Sequence, residues 1–439
     1  MNTLEVRARR GAGSLRYAAL GLALAVLVLG SAYAFAVPAG EAPDEPAHLA
    51  YVSYLLERHA LPPLAAPPYG DRYEFYQAPL DYLATAAAAS LLGMRASEVH
   101  WQPDPRFSFF RQGSRAYLPG ADAGPGEERI RLLRITRLVW AALTAVLVLA
   151  TAHRLAGGRL DLALAATLPF VLAPQFLFVS ATLNNDGAVV TFAALAVLGF
   201  VELLDSPSPA MALLAGTAAG LAPWGKVSGF LLAAPLCLVA LGLVRRRRHR
   251  EAVLLVAAMA TLAALWICLA EWRFGAVFPP PPAVSRGGLA QAGRLFNPHW
   301  AGSLWMSFWG KFGWLNVRLP AAAYLFFALP TALAAIGCVR LGGGAEEPSS
   351  RWRWLCGSVI GANLLLIVVY LVRIDWQPQG RYLFPSLPAM AGCAALGLRS
   401  LVEDPRWGSR AGRVAVACLA ASALGMALLG LLVLNQTYS

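Results

Sequence analysis

Residues 245–271 read RRRRHREAVLLVAAMATLAALWICLAE. The stretch from Ala252 to Glu271 is apolar except for Thr261 and the glutamate at its end. A helix of roughly 20 apolar residues is long enough to cross the hydrocarbon core of a bilayer. Arginines that flank such a helix are typical of its cytoplasmic end. This stretch therefore predicts a membrane-spanning helix that begins on the cytoplasmic side.

The rest of the chain repeats this pattern. Of its 439 residues, 58% are hydrophobic and 14% are charged, whereas a soluble protein carries about 25% charged residues. This composition excludes a soluble globular enzyme and a disordered chain. It predicts an all-α, polytopic transmembrane helical bundle that forms a single domain, 1–439. The apolar runs predict about eleven spans, near 17–37, 135–153, 160–180, 187–204, 210–224, 228–244, 252–271, 320–340, 355–372, 383–399 and 414–434.

The net charge of +12 does not indicate a nucleic-acid partner. The basic residues flank apolar runs, as residues that determine membrane topology do. Arginines before the first run predict a cytoplasmic N-terminus, and an odd number of spans then places the C-terminus outside. We expect a multi-pass protein of the cell inner or plasma membrane with an extracytoplasmic active face. All six cysteines lie in apolar runs, which offers neither a disulfide framework nor zinc-ligand spacing.

Two long polar segments, 38–133 and 272–319, form the predicted outer loops. The first contains a short apolar piece, 79–94, which we interpret as an interfacial or re-entrant helix. In the second, Trp305, Phe308, Trp309 and Phe312 share one face at helical spacing. Such a face predicts either an aromatic anchor at the membrane interface or a wall for a lipid carrier or a sugar. Function is therefore sought in these two loops.

Acidic residues follow the first span directly. Asp44 and Glu45 precede Pro46, and His48 lies one turn after Asp44. An aspartate before a proline is typical of a helix N-cap. The alternative is a carboxylate that acts as a general base, with Glu45 or His48 placing the acceptor or a metal. No closed ligand set is visible, so no cofactor is assigned, although a divalent metal stays open.

Further polar residues are candidates for binding a substrate. Gln77 and Tyr82 flank the start of the short apolar piece, where a tyrosine can also be a plain interface residue. Asn185 and Asp186 lie at a predicted outer turn, which both residue types favour for conformational reasons alone.

Basic residues at the predicted outer ends are candidates for binding a phosphate. Arg134 enters the second span and can alternatively extend to lipid headgroups. Gln379 and Arg381 lie in a tight turn, where an arginine can hold a phosphate through two hydrogen bonds. Lys226 and Lys311 are the only lysines among the 36 basic residues, and each follows a glycine.

Several short motifs occur in one order along the chain. Together they resemble a bacterial family of predicted integral membrane proteins of unknown function that is related to GT-C type glycosyltransferases. The resemblance spans about residues 40–390. The motifs are Pro43-Asp44-Glu45 with His48, Gln77 with Pro79-Leu80 and Tyr82, Asn184-Asn185-Asp186, Gly225-Lys226, the run from Phe308 to Trp314, and Gln379-Gly380-Arg381-Tyr382-Leu383.

The resemblance implies a fold and a reaction. GT-C enzymes are multi-span proteins that move a sugar from a polyprenyl-phosphate carrier to an acceptor outside the cytoplasm, usually with inversion. An aspartate of the first outer loop acts as the base, and this role maps to Asp44 and in second place to Glu45. The chain departs from larger members because it ends after its last span, without an outer soluble domain. Acceptor recognition is then left to the two loops, which favours a glycan or lipid acceptor over a protein.

The sequence leaves two other classes of function open. One is a transporter or flippase of lipid-linked glycans. Transporters place ionisable residues near the membrane midplane and often contain inverted repeats, whereas the motif charges here cluster at the predicted outer edge. The other is a non-catalytic scaffold of the cell envelope.

Overall fold

The computed structural model describes residues 3–66, 70–94, 102–118, 125–279, 289–339, 348–403 and 408–438. Within them the chain is mostly helical and contains a single two-stranded hairpin, β1 (Lys311–Phe312) and β2 (Val317–Arg318). The α-helices are α1 (Thr3–Ala36), α2 (Glu45–Arg58), α3 (Leu80–Leu91), α4 (Pro125–Leu155), α5 (Leu160–Val171), α6 (Pro174–Ser180), α7 (Asp186–Asp205), α8 (Pro209–Gly225), α9 (Ala233–Arg245), α10 (His249–Phe274), α11 (His299–Trp309), α12 (Ala321–Phe326), α13 (Ala328–Val339), α14 (Pro348–Arg373), α15 (Leu387–Val402) and α16 (Gly408–Tyr438).

The helices confirm a multi-pass membrane protein. Seven helices within the described residues are long and apolar enough to cross a bilayer, and the bent pair α5–α6 gives an eighth. The other predicted spans, 210–224, 320–340 and 383–399, correspond to the shorter helix α8, the pair α12–α13 and the short helix α15. The count of eleven spans therefore stays a prediction. The predicted span near 160–180 corresponds to this bent pair, in which the chain turns by 62° between α5 and α6, where Pro174 opens α6.

The centre of the bundle consists of tightly packed helices with small residues at their crossings. Helix α7 is buried on most sides, whereas α10 and α16 present broad apolar sides outward. A side chain at Gly216 of α8 would collide with the backbone of Leu255 on α10. Small residues at such crossings let membrane helices approach closely and gain dispersion contacts.

The two ends of the bundle collect different loops. At one end Arg154 lies 3.2 Å from both Glu202 and Asp205, and the Trp352 ring nitrogen donates to Asp205 at 3.1 Å. At the other end the Arg115 guanidinium donates to the Tyr438 carbonyl at 2.5 Å, beside the first-loop segment 102–118. The predicted cytoplasmic ends thus meet one another, and the predicted outer loops meet the end of α16. Which end faces the cytoplasm stays a prediction.

The structure describes both helices predicted in the loops, the short piece 79–94 and the aromatic face of the second loop. Helix α3, within 79–94, has 12 residues and is too short to cross a bilayer. The single aromatic face predicted for the second loop is wrong, because α11 ends at Trp309 and Phe312 lies on β1. Trp309 and Phe312 are buried, and the Trp309 ring stacks on Phe327 with 4.3 Å between centroids. These two rings therefore belong to the protein core and cannot contact a carrier or a sugar.

Candidate functional site

Asp44 lies at the turn that joins α1 to α2. Its backbone is left-handed, with φ 64° and ψ 5°, and its side chain makes no capping hydrogen bond to α2. The left-handed region is costly for most residues and is tolerated best by glycine, asparagine and aspartate. Instead of capping, Asp44 accepts a hydrogen bond from the Tyr73 hydroxyl at 3.1 Å. The helix-cap alternative is therefore wrong.

Asp44 begins a chain of four alternating charges. Arg381 lies 3.4 Å from Asp44 and 3.9 Å from Asp186, and Lys226 lies 2.6 Å from Asp186. The side chains of Arg381 and Asp186 are 9% and 7% exposed, and those of Asp44 and Lys226 are 28% and 18% exposed. The structure thus brings together four residues that the sequence spreads over most of the chain. Their contacts form one mixed-charge cluster, Asp44–Arg381–Asp186–Lys226.

Four local structures position these side chains. Asp44 precedes α2, Asp186 opens α7, and Lys226 follows the last residue of α8. Arg381 lies in a 3₁₀ helix, Gly380–Ser386, that leads into α15. A side chain at residue 380 would collide with the backbone of Phe308, so only glycine lets this segment lie so close to α11. The close packing against α11 therefore explains why glycine precedes Arg381.

A small polar cavity borders the mixed-charge cluster. Within the described residues, the Arg381 Nε and Gln379 Oε1 atoms are buried and have no hydrogen-bond partner. Both residues line the cavity, together with Pro43, Gln175, Thr182 and Ser307. A cavity lined by a free donor and a free acceptor can bind a group that both donates and accepts, such as a hydroxyl.

Glu45 and Arg134 form a buried ion pair away from this cavity. Both side chains are 0% exposed, and the guanidinium donates to the two carboxylate oxygens at 2.8 and 2.5 Å. Glu45 also accepts the backbone amides of Gly40 and Leu183, and Arg134 donates to three carbonyls at the end of α1. Neither group can reach a substrate. The structure therefore corrects the expectation of a catalytic Glu45 and a phosphate-binding Arg134.

Polar side chains predicted to bind a substrate form a second layer behind the cluster. Asn185 donates to Gln77 at 2.9 Å, and the Tyr82 hydroxyl lies 2.7 Å from His48 Nδ1. All four side chains are buried. Burial lowers the pKa of His48 well below its usual value, and the nearby Arg381 and Lys226 lower it further. A neutral, buried histidine positions Tyr82 but does not bind an anion as a cation would.

Lys311 is not part of the mixed-charge cluster. It lies on β1 opposite Arg318, and its backbone amide donates to Gln175 at 2.6 Å. Burial lowers the pKa of its amino group, and Arg318 adds to that effect. Within the described residues, its side chain makes no ion pair with any carboxylate. The expected substrate contact of Lys311 therefore has no support from this geometry.

The described residues do not fit a metal ion. They contain no group of three histidine, cysteine, aspartate or glutamate side chains that could hold one. Glu45 is engaged by Arg134, and the Nδ1 atom of His48 by Tyr82. We assign no metal-dependent step.

Three further residues of this region were not among the candidates predicted from the sequence. Tyr73 and Glu74 precede Gln77 in the same motif, so their position was the available signal. Tyr73 holds Asp44, and Glu74 accepts a hydrogen bond from Gln77 at 2.7 Å. Asp81 forms an ion pair with Arg137 and accepts the backbone amide of Ala188 at 2.9 Å. This second buried pair fixes the beginning of α7, and with it Asp186.

Comparisons with known proteins agree on the fold. Residues 126–272 match the sequence model of the dolichyl-phosphate-mannose-protein mannosyltransferase family. The structure is similar to ArnT from Cupriavidus metallidurans in the apo state, with a TM-score of 0.59, 16% identity, and coverage of 97% of this chain and 78% of ArnT. It is also similar to ArnT bound to undecaprenyl phosphate, with a TM-score of 0.57, 15% identity and the same coverage.

A third similar structure is the arabinofuranosyltransferase AftD from Mycobacteria, with a TM-score of 0.54 and 16% identity. The alignment covers 95% of this chain and 27% of AftD. No curated protein matches the chain by sequence. The resemblance to GT-C type glycosyltransferases is thus confirmed, with the fold as its common element.

Proposed function

We propose that this protein is a membrane glycosyltransferase that moves a sugar from a polyprenyl-phosphate carrier to a glycan or lipid acceptor outside the cytoplasm. The observation that carries the proposal is the mixed-charge cluster. It places a partly exposed carboxylate beside Arg381, which Asp186 connects to a second cation, Lys226, next to the first predicted span of a GT-C-like fold. The similar ArnT structure contains undecaprenyl phosphate, which supports a lipid of this class as the carrier.

Asp44 is the base in this proposal. Its carboxylate takes the proton of the acceptor hydroxyl as the acceptor oxygen attacks the anomeric carbon of the sugar. The bond from that carbon to the phosphate oxygen breaks on the opposite face, and its electrons stay on the phosphate. The anomeric configuration therefore inverts. Tyr73 and Arg381 each hold one oxygen of Asp44, which orients the carboxylate.

Arg381 and Lys226 stabilise the leaving phosphate. Negative charge develops there as the bond breaks, and fixed cations lower the free energy of that state. Arg381 contacts its two carboxylates at 3.4 and 3.9 Å, longer than a charge-assisted hydrogen bond. Its Nε also has no partner within the described residues. This guanidinium can therefore exchange its protein contacts for a phosphate.

The two long loops contact each other and form the proposed acceptor surface. Asn316, between the strands of the hairpin, donates to the Ser114 carbonyl at 2.6 Å. The Trp314 ring nitrogen donates to the Gly40 carbonyl at 2.9 Å, close to Asp44 in sequence. Phe109 is exposed beside Trp314, and the next residue, Phe110, is exposed as well. Exposed aromatic faces of this kind suit the apolar faces of sugar rings or the chain of a lipid.

A transfer assay on purified protein tests the proposal. The protein is reconstituted in lipid and supplied with a panel of radiolabelled polyprenyl-phosphate sugars, and sugar release and transfer are measured. We expect turnover by the wild type and a loss of about a hundredfold or more in Asp44→Asn. Asparagine tolerates the left-handed backbone of residue 44, so folding is retained. Asp71→Asn, an exposed aspartate of the same loop, is the matched control.

Two results would contradict the proposal. Movement of the intact lipid-linked sugar across the bilayer without bond cleavage would instead show a transporter or flippase. If no donor of the panel gives either turnover or movement, that result would favour a non-catalytic scaffold. Full turnover in Asp44→Asn would remove Asp44 from the role of base.

A further inference from the structure

Glu74 differs from the other buried carboxylates of this region in its partners. Glu45, Asp81 and Asp186 each pair with a cation. Glu41 accepts the backbone amides of Ala116 and Tyr117. Within the described residues, Glu74 has no cation within ion-pair distance and accepts one neutral amide, from Gln77 at 2.7 Å, although it is 8% exposed. A buried carboxylate with a single neutral partner is poorly compensated when ionised.

The surroundings of Glu74 contain one like charge and two opposite charges. Asp44 faces it from the beginning of α2, Lys226 from the end of α8, and Arg381 from the segment before α15. Among the described residues, four phenols, which are uncharged at neutral pH, also face it: Tyr73, Tyr76, Tyr82 and Tyr370. Both nearby cations already neutralise Asp44 and Asp186.

We propose that Glu74 is a positioning residue that carries a proton in the resting site, and that its ionisation weakens binding of the anionic phosphate of the lipid donor. The proposal rests on the proposed function, because the phosphate is taken to bind at Arg381 and Lys226. With Glu74 protonated, the mixed-charge cluster has no net charge. Ionised Glu74 adds a negative charge that no described cation offsets, and a phosphate would then enter a negative site.

Hydrogen bonds extend the effect of Glu74 to the residues that hold the cations. The side-chain amide nitrogen of Gln77 donates to Glu74 and to the Tyr76 hydroxyl, and its side-chain oxygen, Oε1, accepts from Asn185 at 2.9 Å. Asn185 directly precedes Asp186, the partner of Lys226. The amide of Gln77 therefore connects the protonation state of Glu74 to the beginning of α7.

The direction of the pH effect follows from the chemistry of the carboxyl group. Burial and, after it, the nearby Asp44 together raise the pKa of Glu74 to about 7, against the lowering effects of Gln77, Lys226 and Arg381. Below that pH the group is neutral and the donor binds. As the pH rises through this pKa, the Glu74 carboxyl group ionises, and the affinity of the site for an anionic lipid falls. The change lies within the physiological range.

Binding of undecaprenyl methyl phosphate to the full-length protein in lipid nanodiscs tests the proposal. This phosphodiester keeps one negative charge between pH 5.5 and 8.5, so only the protein titrates. We expect the dissociation constant of the wild type to rise about tenfold over this range, the order expected for one added like charge nearby. In Glu74→Gln the profile should be flat, because the amide has the same shape but cannot ionise. Glu74→Asp should retain a pH dependence with a different midpoint.

The control is Glu57→Gln, which removes an exposed glutamate of α2 and should follow the wild type. A wild-type slope in Glu74→Gln would overturn the proposal. Equal weakening at every pH in Glu74→Gln and Glu74→Asp would overturn it too, because that pattern belongs to a purely structural residue. If folded wild type binds the lipid at no pH, the proposed function itself fails and this inference falls with it.

Discussion

The proposed role of Lys226 in binding the donor depends on the compact shape of its ammonium group. Its amino group lies 2.6 Å from Asp186 and 5.5 Å from the centre of the Tyr382 ring. A compact ammonium fits between a carboxylate and an aromatic face, whereas a guanidinium is wider and planar. Lys226→Met should weaken donor binding by about 1–3 kcal/mol, the value of a hydrogen bond to a charged group. Lys226→Arg should weaken it less.

The measurement for Lys226 is donor affinity and turnover on reconstituted protein. Lys311→Met is the matched control, because it removes the other lysine of the chain, which lies on β1 outside the mixed-charge cluster. Equal affinity and equal turnover in Lys226→Met and the wild type would rule out a phosphate contact of Lys226. A larger loss in Lys311→Met would place the phosphate at the hairpin instead.

For single residues, the sequence predicted the residue types of the site and their approximate neighbours, but not the direction in which each side chain points. Asp44, Asp186, Lys226 and Arg381 were candidates from their motifs, and the structure brings them together. Glu45 follows Asp44 directly, yet its side chain points to Arg134 inside the protein. Adjacent residues at a helix start point in different directions, and a motif cannot indicate which one faces the cavity. Glu74 was missed because its character depends on burial and on missing cations.

The Glu45–Arg134 pair acts between elements rather than on a substrate. It joins the end of α1, the beginning of α2, helix α4 and the turn before α7. Removal of one partner of a buried ion pair costs about 3–5 kcal/mol, because the other charge remains buried without compensation. We therefore expect Arg134→Met to lower the thermal unfolding midpoint and the yield of folded protein. Turnover per folded molecule should change much less than in Asp44→Asn.

Arg131→Met on the same helix is the control for Arg134. Arg131 pairs with Glu127 at 2.8 Å, but both side chains are more than a quarter exposed, at 29% and 28%. Exposed pairs contribute about 0–1 kcal/mol, so this variant should unfold close to the wild type. An Arg134→Met protein that is as stable as the wild type but has lost donor affinity would restore the phosphate role to Arg134.

The prediction of elements succeeded where a helix is long and apolar, but it did not include the bend inside one apolar run. The break between α5 and α6 lies at Leu172 and Ala173, which are as apolar as their neighbours. Pro174 marks the break, but proline can also occur within a kinked helix. The aromatic face of the second loop failed for a related reason. Helical spacing continues past Trp309 in the sequence, whereas Gly310 ends the helix.

For the whole molecule, orientation in the membrane is the property to be measured. At one end of the bundle residue 41 contacts residue 116, and residue 115 contacts residue 438; at the other end residue 154 contacts residue 205. Reporter fusions at residues 70 and 110 should report outside, together with one after residue 438, and a fusion at residue 156 should report cytoplasmic. The same side for 110 and 156 would contradict the bundle. A fully reversed pattern would place Asp44 at the cytoplasmic face.

The pairing of every charge in the mixed-charge cluster has a consequence for how a ligand arrives. Cavities with a large unbalanced charge draw ions from solution, and their association rates fall steeply with ionic strength. Here two carboxylates and two cations cancel, so little long-range field extends beyond the contacts themselves. A lipid that diffuses sideways in the bilayer needs no such attraction. Its rate of capture should therefore be almost independent of added salt, with selectivity arising only after contact.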